Sequence, residues 1–585
     1  AAAHASLDEL PTSVEGVVAA RIDLLATDDR RLLRTAAVLG LDVDLELLGR
    51  LAEQVGVPMR PGSLERLSAF LVPTGARTWR FRQAVVQATA YEGLPYSRRR
   101  VLHGAVGDLL TDRGSDVELS LHFSRAGRPA QTWKHASAAA AHASAARAHA
   151  EAAVLYVRAL EAARALDLGA QEAEAWEGLG DARFRLATFS EAAAAYGEAR
   201  RRARSPLDTA RLRHKAALCA ERSGNYAQAL SWSARARRAV EPMSGVPEAT
   251  RLAAETLVVR ATVRHWQGRH ADAARDSGAA VRLATEADAL DVAAEALVWL
   301  DVSELRLGRG DGGHVRRALE VLQELGNRPW QLGRCLNELG IRAWYADDWD
   351  GARQAYQQCH AAFTEAGDRW AAALAQANEA EILLDQGRLE KAEPLLRSAL
   401  RAGRASAAPG HTAFVLGLLG RHEALRGRPA EALTHLNEAR RLYEEIGEPE
   451  EVLATRLRTA ECHLLAGAPD LALAELRGLP EGISDPLLRR VRGLAATALG
   501  DPEAGSADLE AAVTDARRRG ADHDLVLGLT ALGRWYELTG RPVPAGLPTE
   551  QAIVRRRLGM APGGSVELPS PRVRSSEGHP AGRGS

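Results

Sequence analysis

Apolar and small residues return along most of this chain with a period near 3.6, broken by short turns that often contain glycine, the signature of amphipathic helices. Residues 176–199 read WEGLGDARFRLATFSEAAAAYGEA and place large side chains at Trp176, Leu179, Phe189 and Tyr196, with small residues at Gly180, Ala192 and Ala199. Two helices built this way can pack antiparallel. The small residues let the backbones approach, and the large ones fill the gap and reach the next pair. Residues 336–359, LNELGIRAWYADDWDGARQAYQQC, repeat the arrangement with Leu339, Gly340, Trp349, Ala352 and Tyr356 in the equivalent places.

Shorter turn signatures mark further copies: GNYAQA at 224, GRHADA at 268, GRLEKA at 387, GRPAEA at 427 and GAPDLA at 467. Their closing alanines Ala229, Ala273, Ala392, Ala432 and Ala472, together with Ala352 of the hairpin above, are 40 residues apart from Ala352 onward. Between Ala273 and Ala352 there is room for one degenerate copy around GRGDGGHVRRAL. Helix ends such as EAGD (365–368) and EIGEP (445–449) put glycine where a left-handed cap belongs. The hairpin resembles a tetratricopeptide repeat, and an interval of 40 against about 34 for the short form implies helices longer by roughly a turn. The resemblance implies an α-solenoid over 127–540 whose concave surface binds a protein or peptide. DHDLVLGLTALGRWYELTG (522–540) reads as its capping helix. Within 541–585, EQAIVRRRLGM forms a short helix, and the Pro-, Gly- and Ser-rich remainder is expected to be disordered.

Residues 11–126 lack the 40-residue interval. Apolar spacing predicts helices over Ser13–Leu25, Arg30–Leu39 and Leu45–Val55, and LVPTGARTWRF (71–81) alternates around a Pro-Thr-Gly turn as a two-stranded hairpin does. Three helices, a hairpin and further helices make a winged-helix-like domain the expected packing. The fold class is therefore all-α: a winged-helix-like domain followed by the solenoid, with 1–10 as a linker. The chain opens on alanine, from which a piece of a longer protein is expected.

LPTSVEGVVAARIDLL (10–25), LLRTAAVLG (32–40), FRQAVVQATAYEGLPYSRRRVLH (81–103) and the alanine-rich 132–160 resemble the region behind the ATPase module of bacterial signalling proteins. These are AAA/STAND-type ATPases: actinobacterial adenylate/guanylate cyclase proteins with a tetratricopeptide tail, and regulators of the LuxR and AfsR kinds. The resemblance implies an ATPase module upstream in cis, regulated by this region. Such ATPases carry histidine after Phe-Arg, near bound nucleotide; here Gln83 stands there and can hydrogen-bond but not carry charge. Arg98, Arg99 and Arg100 read as a solvated helix start, as an interdomain contact pairing with acidic groups, or as a DNA contact. The DNA reading, which the regulator resemblance keeps as the alternative function, is disfavoured. The presumed recognition helix LELLGRLAEQV carries Glu46 and Glu53 against Arg50 alone.

The 585 residues carry a formal net charge of -1, which steers the chain toward neither nucleic acid nor an anionic membrane. No apolar run reaches the roughly 20 residues of a membrane span, and no secretory signal opens the chain, so a cytoplasmic setting is expected. The four cysteines, Cys219, Cys335, Cys359 and Cys462, form no CxxC pair and read as core thiols. A phosphate-binding loop is excluded because none of the three lysines follows glycine. GRGDGG (308–313) reads as a repeat turn, and RHEALRG (421–427) lacks the second histidine of a zincin. His135, His142 and His149 recur every seven residues on one predicted helix, too far apart to share a metal. DDWD (347–350) is a turn. No catalytic set, cofactor site or metal site is expected.

Overall fold

The computed structural model describes residues 14–560 except 167, 244, 327, 480–482 and 484. The expected linker 1–10 and the tail beyond 560 lie outside the described residues. The chain forms two compact units divided between Ala182 and Arg183, where the sequence reading places the boundary at 126/127.

The first unit begins with α1 (Val14–Asp23) and α2 (Thr27–Ala36), then β1 (Asp42–Asp44), α3 (Leu45–Gln54), α4 (Ser63–Arg66), β2 (Leu71–Pro73) and β3 (Thr78–Phe81). It continues through α5 (Ala84–Glu92), α6 (Tyr96–Leu110), α7 (Asp116–Ala126), the hairpin α8 (Pro129–Ala145) and α9 (His149–Ala163), and most of α10 (Ala170–Arg185). The three helices and the hairpin stand in the expected order. The sheet, however, has three strands in the order β1-β3-β2, with Val43 opposite Trp79 and Leu71 opposite Phe81. Val43, Leu71 and Phe81 turn inward onto Leu32, Leu33, Leu48 and Leu67. Arg80 clamps Asp42 across the strands at 2.6 and 2.8 Å. Asp44 ends β1 and caps α3, accepting the Leu47 N–H at 2.8 Å. The histidine series corrects the sequence reading: His135 and His142 lie on α8, while His149 opens α9 after a turn in which Arg147 takes φ +60°.

The second unit stacks helix hairpins. After α11 (Phe189–Arg202) come α12 (Pro206–Arg222) with α13 (Tyr226–Val240), and α14 (Pro247–Trp266) with α15 (His270–Glu286). The degenerate copy follows as α16 (Leu290–Arg306) and α17 (Gly313–Leu325). Next are α18 (Pro329–Tyr345) with α19 (Trp349–Glu365), α20 (Arg369–Asp385) with α21 (Leu389–Ala405), and α22 (Pro409–Leu425) with α23 (Pro429–Ile446). The array ends with α24 (Pro449–Leu465) and α25 (Pro469–Leu476), α26 (Pro486–Ala498) and α27 (Pro502–Arg519), and α28 (Asp522–Thr539) with α29 (Gly546–Arg557). Where the interval is 40, helices of 17 residues alternate with turns of three. Each turn needs one left-handed residue, and positive φ recurs every 20 positions at Asp347, Gly367, Gly387, Ala407, Gly427, Gly447 and Gly467. No described helix is long and apolar enough to cross a membrane.

Within hairpins the small-against-large rule is literal. A Cβ added to Gly340 would lie 2.5 Å from Cε1 of Tyr356, and one added to Gly420 would lie 2.7 Å from Cγ of Leu436. Leu339, half-buried, packs against the neighbouring α16–α18 core, while Trp349, Ala352 and Tyr356 are buried between α18, α19 and α28. Leu179 and Gly180 are buried on α10, with Trp176 half-buried, and Ala192 and Tyr196 are buried on α11.

Candidate ligand channel

The first helices of successive hairpins in the second unit carry charge at nearly the same 40-residue interval: Asp301, Arg342, Glu381, Arg421 and Glu461. The signs alternate, so each repeat offers its charge to the next. Between repeats Arg342 Nε donates to Asp301 and Arg421 donates to Asp385, while Arg458 donates to Glu461 within α24 at 2.9 Å. Asp385 also accepts the Trp344 indole N–H at 3.0 Å. Asp301, Glu338 and Asp385 are buried, a costly placement that such pairing offsets. Burial pushes the Glu338 carboxyl up to about 8, with Asp301 adding to the rise and Arg342 opposing it. Burial and Asp385 push Glu381 up to about 7.

Tyr345, at the end of α18, shows what these helices enclose. It is 52% exposed, yet Arg306 of α16, Glu381 of α20, Glu451 of α24 and Glu338 of α18 all act on its phenol, whose pKa is raised mainly by burial. Tyr345 is thus half open to water while charges from three other helices, α16, α20 and α24, act on it. Arg306 also acts on Glu451, 145 residues away.

Contacts between distant repeats bring the stack back onto itself. The Tyr226 hydroxyl donates to Glu448, and His270 Nε2 meets Glu450 Oε1 at 2.7 Å. Gly224 lies against Ile446 and Pro409, where a Cβ would meet Ile446 Cγ2 at 2.5 Å. Further on, Asp347 accepts the Asp522 N–H at 2.5 Å, and Trp349 takes His523 edge-on at 5.0 Å between centroids. The first of these seams joins positions 222 apart and the last joins positions 175 apart, so the stack meets itself after about five repeats. Burial, opposed by the Tyr226 hydrogen bond and reinforced by Glu451 and Glu221, pushes Glu448 up to about 8.

In the first unit the three consecutive arginines each serve a helix end. Arg98 donates to the Val55 carbonyl behind α3 at 3.2 Å. Arg99 donates to Glu92 and Leu94 behind α5, both at 2.8 Å, with its guanidinium 4.8 Å from the Tyr91 ring centroid. Arg100 donates to Ala126, the last residue of α7, at 3.1 Å. Cations placed there satisfy carbonyls that a helix leaves unbonded and offset its negative end. Gln83 is exposed at the start of α5, its carbonyl accepting from Val86 at 3.1 Å. On α3, Glu46 bonds Arg113 at 3.0 Å and pairs with Arg77 at 3.7 Å, so this helix presents an acid already engaged by bases.

Sequence reasoning missed the buried chain Tyr91–His103–His122, joined at 2.9 and 3.0 Å. Burial holds His103 down at about 3 and His122 at about 4, so both are neutral imidazoles. It also missed the grouping of charges from helices up to 145 residues apart; their 40-residue recurrence was the available signal. All four cysteines are buried thiols. Among the described residues no group of His, Cys, Asp and Glu is arranged to hold a metal ion.

Residues 371–445 match the tetratricopeptide repeat family, spanning nearly all of α20–α23. No curated protein matches the chain significantly. Among solved structures, the Signal Transduction ATPase with Numerous Domains (STAND) protein with a tetratricopeptide repeat sensor from Pyrococcus horikoshii is 14% identical, with 76% of this chain and 67% of that one covered and a TM-score of 0.33. A Rap protein complexed with competence and sporulation factor is 12% identical over 65% and 94%, TM-score 0.32. Aspartyl phosphate phosphatase F from Bacillus subtilis is 11% identical over 67% and 95%, TM-score 0.37. The stacked hairpins and the family match at 371–445 make the second unit an α-solenoid of tetratricopeptide type.

Proposed function

We propose that this region is the non-catalytic sensor of a signalling ATPase, binding a protein or peptide segment in the solenoid channel and regulating an ATPase or cyclase module upstream. The observation that carries the reading is Tyr345, open to water inside a ring of helices lined with alternating charge. A solenoid serving only as a spacer gains nothing from such a lumen, because buried ion pairs are commonly no better for stability than apolar packing. A polar channel suits an extended polypeptide, whose carbonyls and amides need partners along its length. Ligand touching both α16 and α24 favours the closed arrangement of the seams, and differential affinity of that kind is what shifts an equilibrium between states of the attached ATPase.

The test is a fluorescence-polarisation screen of the whole chain against an array of synthetic hexapeptides, repeated with Tyr345→Arg, which crowds the lumen. Selective binders lost in the variant are expected. An array with no binder above scrambled controls, or binders indifferent to the substitution in a folded variant, would overturn the reading.

A further inference from the structure

Basic residues are unevenly placed along this chain. Residues 198–238, from the end of α11 through α12 and most of α13, hold eleven Lys and Arg against three Asp and Glu, although the net charge of the whole is -1. The three acids are already engaged. Glu198 pairs with Arg201 and Arg202, Asp208 with Arg211 at 3.0 Å, and Glu221 with Arg222 at 3.3 Å. Arg200, Arg204, Arg213 and Arg235 make no hydrogen bond or ion pair among the described residues, and Arg213 Nε is enclosed without an acceptor. Arg200 from α11 and Arg235 from α13 lie over one indole, 4.6 and 5.2 Å from the Trp232 ring centroid. Burial, then Arg213, Arg201 and Arg235, work against the charge on Arg200. Cations held this close repel one another, and a bound polyanion relieves the repulsion.

Beside the indole lies a cavity of about 160 Å³, lined by Ala193, Tyr196 and Arg200 of α11, Leu212 of α12, and Gln228 and Trp232 of α13. A cavity of about 150 Å³ holds one benzene ring, so this one has room for a single six-membered ring. Its walls are apolar and aromatic, yet the Arg200 guanidinium, the Gln228 amide and the Trp232 indole N–H also reach it, each without a hydrogen bond among the described residues. A hydrocarbon ring would leave those groups unpaired. A pyrimidine base brings carbonyl and ring-nitrogen partners for them on its edge. The carboxylates of an acidic peptide satisfy the arginines and leave the ring-sized space unfilled. Four unpaired arginines also exceed what the phosphate of a single nucleotide neutralises, which favours a strand over a free nucleotide.

We infer that the groove between α11 and α13 binds single-stranded nucleic acid, seating one pyrimidine base in the cavity while Arg200, Arg204, Arg213 and Arg235 hold the neighbouring phosphates. A duplex is excluded, because its bases are stacked and paired inside the helix. The groove draws on second helices of the hairpins, whereas the charges around Tyr345 sit on first helices, so this activity is additional to peptide binding.

The test is fluorescence anisotropy of the full chain with labelled twelve-residue strands of uridine, deoxyuridine, adenosine and deoxyadenosine, and with a labelled twelve-residue polyglutamate, at about 50 and 200 mM salt. Uridine or deoxyuridine strands should bind about tenfold more tightly than the adenosine strand of the same sugar, and the tighter of the two names the sugar. Three or four phosphate contacts at about 0.7 each give a slope of roughly -2 to -3 for log affinity against log salt. Arg200→Gln should weaken every strand and make that slope shallower by about 0.7. Gly197→Leu puts a side chain into the cavity from a position where a Cβ meets nothing within 4 Å. This variant should melt no lower than wild type, since it replaces a helical glycine, and should lose the pyrimidine preference while keeping the salt dependence.

Polyglutamate that binds as tightly as the uridine strands would overturn the inference and assign the patch to acidic polypeptides. Equal affinity for uridine and adenosine strands, or a pyrimidine preference that survives in folded Gly197→Leu, would overturn it by removing the cavity from recognition. No binding of any strand at 50 mM salt would overturn it outright.

Discussion

Replacing Glu448 by glutamine tests whether the distant repeats close on one another as the seam geometry requires. Glu448 is 4% exposed, accepts the Tyr226 hydroxyl and carries a carboxyl pushed up to about 8 from an ordinary 4.5. In the unfolded chain that carboxyl ionises near 4.5, whereas the folded chain keeps its proton up to about 8. Between these values the native state binds more protons, so stability contributed by this site is present at low pH and falls as pH rises. Each pH step of one across that range is worth about 1.4 kcal/mol, and the part lost between about pH 6.5 and 8 is roughly 1.5 kcal/mol. That window avoids the buried histidines. His103, His122 and His411, held low by burial, change their contribution below about 6.5, with the opposite sign. Glutamine keeps an acceptor for Tyr226 and cannot ionise. The stability difference, Glu448→Gln minus wild type, should therefore rise by roughly 1.5 kcal/mol between pH 6.5 and 8. The assay is urea-dependent hydrogen exchange in peptides covering 226–240 and 449–465, at both pH values. Parallel pH dependence in the two proteins would refute the reasoning, because a solvated Glu448 would have no proton to lose in that range.

Four further substitutions address the repeats, each read by thermal and urea melting. Gly340→Ala drives a methyl into the buried Tyr356 ring and should cost roughly 1–2 kcal/mol net of helix propensity, whereas Gly417→Ala, with nothing within 4 Å, should gain about 0.5–1 kcal/mol; equal effects would contradict the hairpin packing. Ala407→Gly relieves a left-handed turn residue at φ +48° and should stabilise by about 1 kcal/mol, and a loss would show that the turn is not strained. Asp385→Ala leaves Arg421 buried without its hydrogen-bonded acid and should cost about 3 kcal/mol; a neutral result would mean that Glu381 or Glu461 takes over.

What could be read in the sequence is what repeats locally. The 17-plus-3 rhythm from α18 to α24 is visible because Gly340, Ala352 and Tyr356 and their counterparts recur with glycine at the turns. The turn at 146–148 escaped because Ala-Arg-Ala contains neither glycine nor proline, yet Arg147 takes the left-handed conformation. Strand β1 escaped because three residues with only Val43 buried carry no readable alternation. The arginines at 98–100 were visible as a charge run, but their carbonyl acceptors at Val55, Leu94 and Ala126 depend on how α3, α5 and α7 pack. The channel needs more still. Arg222 reaches Trp370 and Tyr226 reaches Glu448 only because small rotations between repeats accumulate until the stack meets itself, and no local pattern encodes that sum.

The most direct measurement places a photoreactive benzoylphenylalanine at Tyr345, inside the channel, and in a second protein at Arg397, which is exposed on α21. After irradiation with the tightest-binding hexapeptide, crosslinking at position 345 and none at 397 is the predicted result. Peptide that still binds but crosslinks at 397, or at neither position, would contradict the claim that the ligand lies within the solenoid.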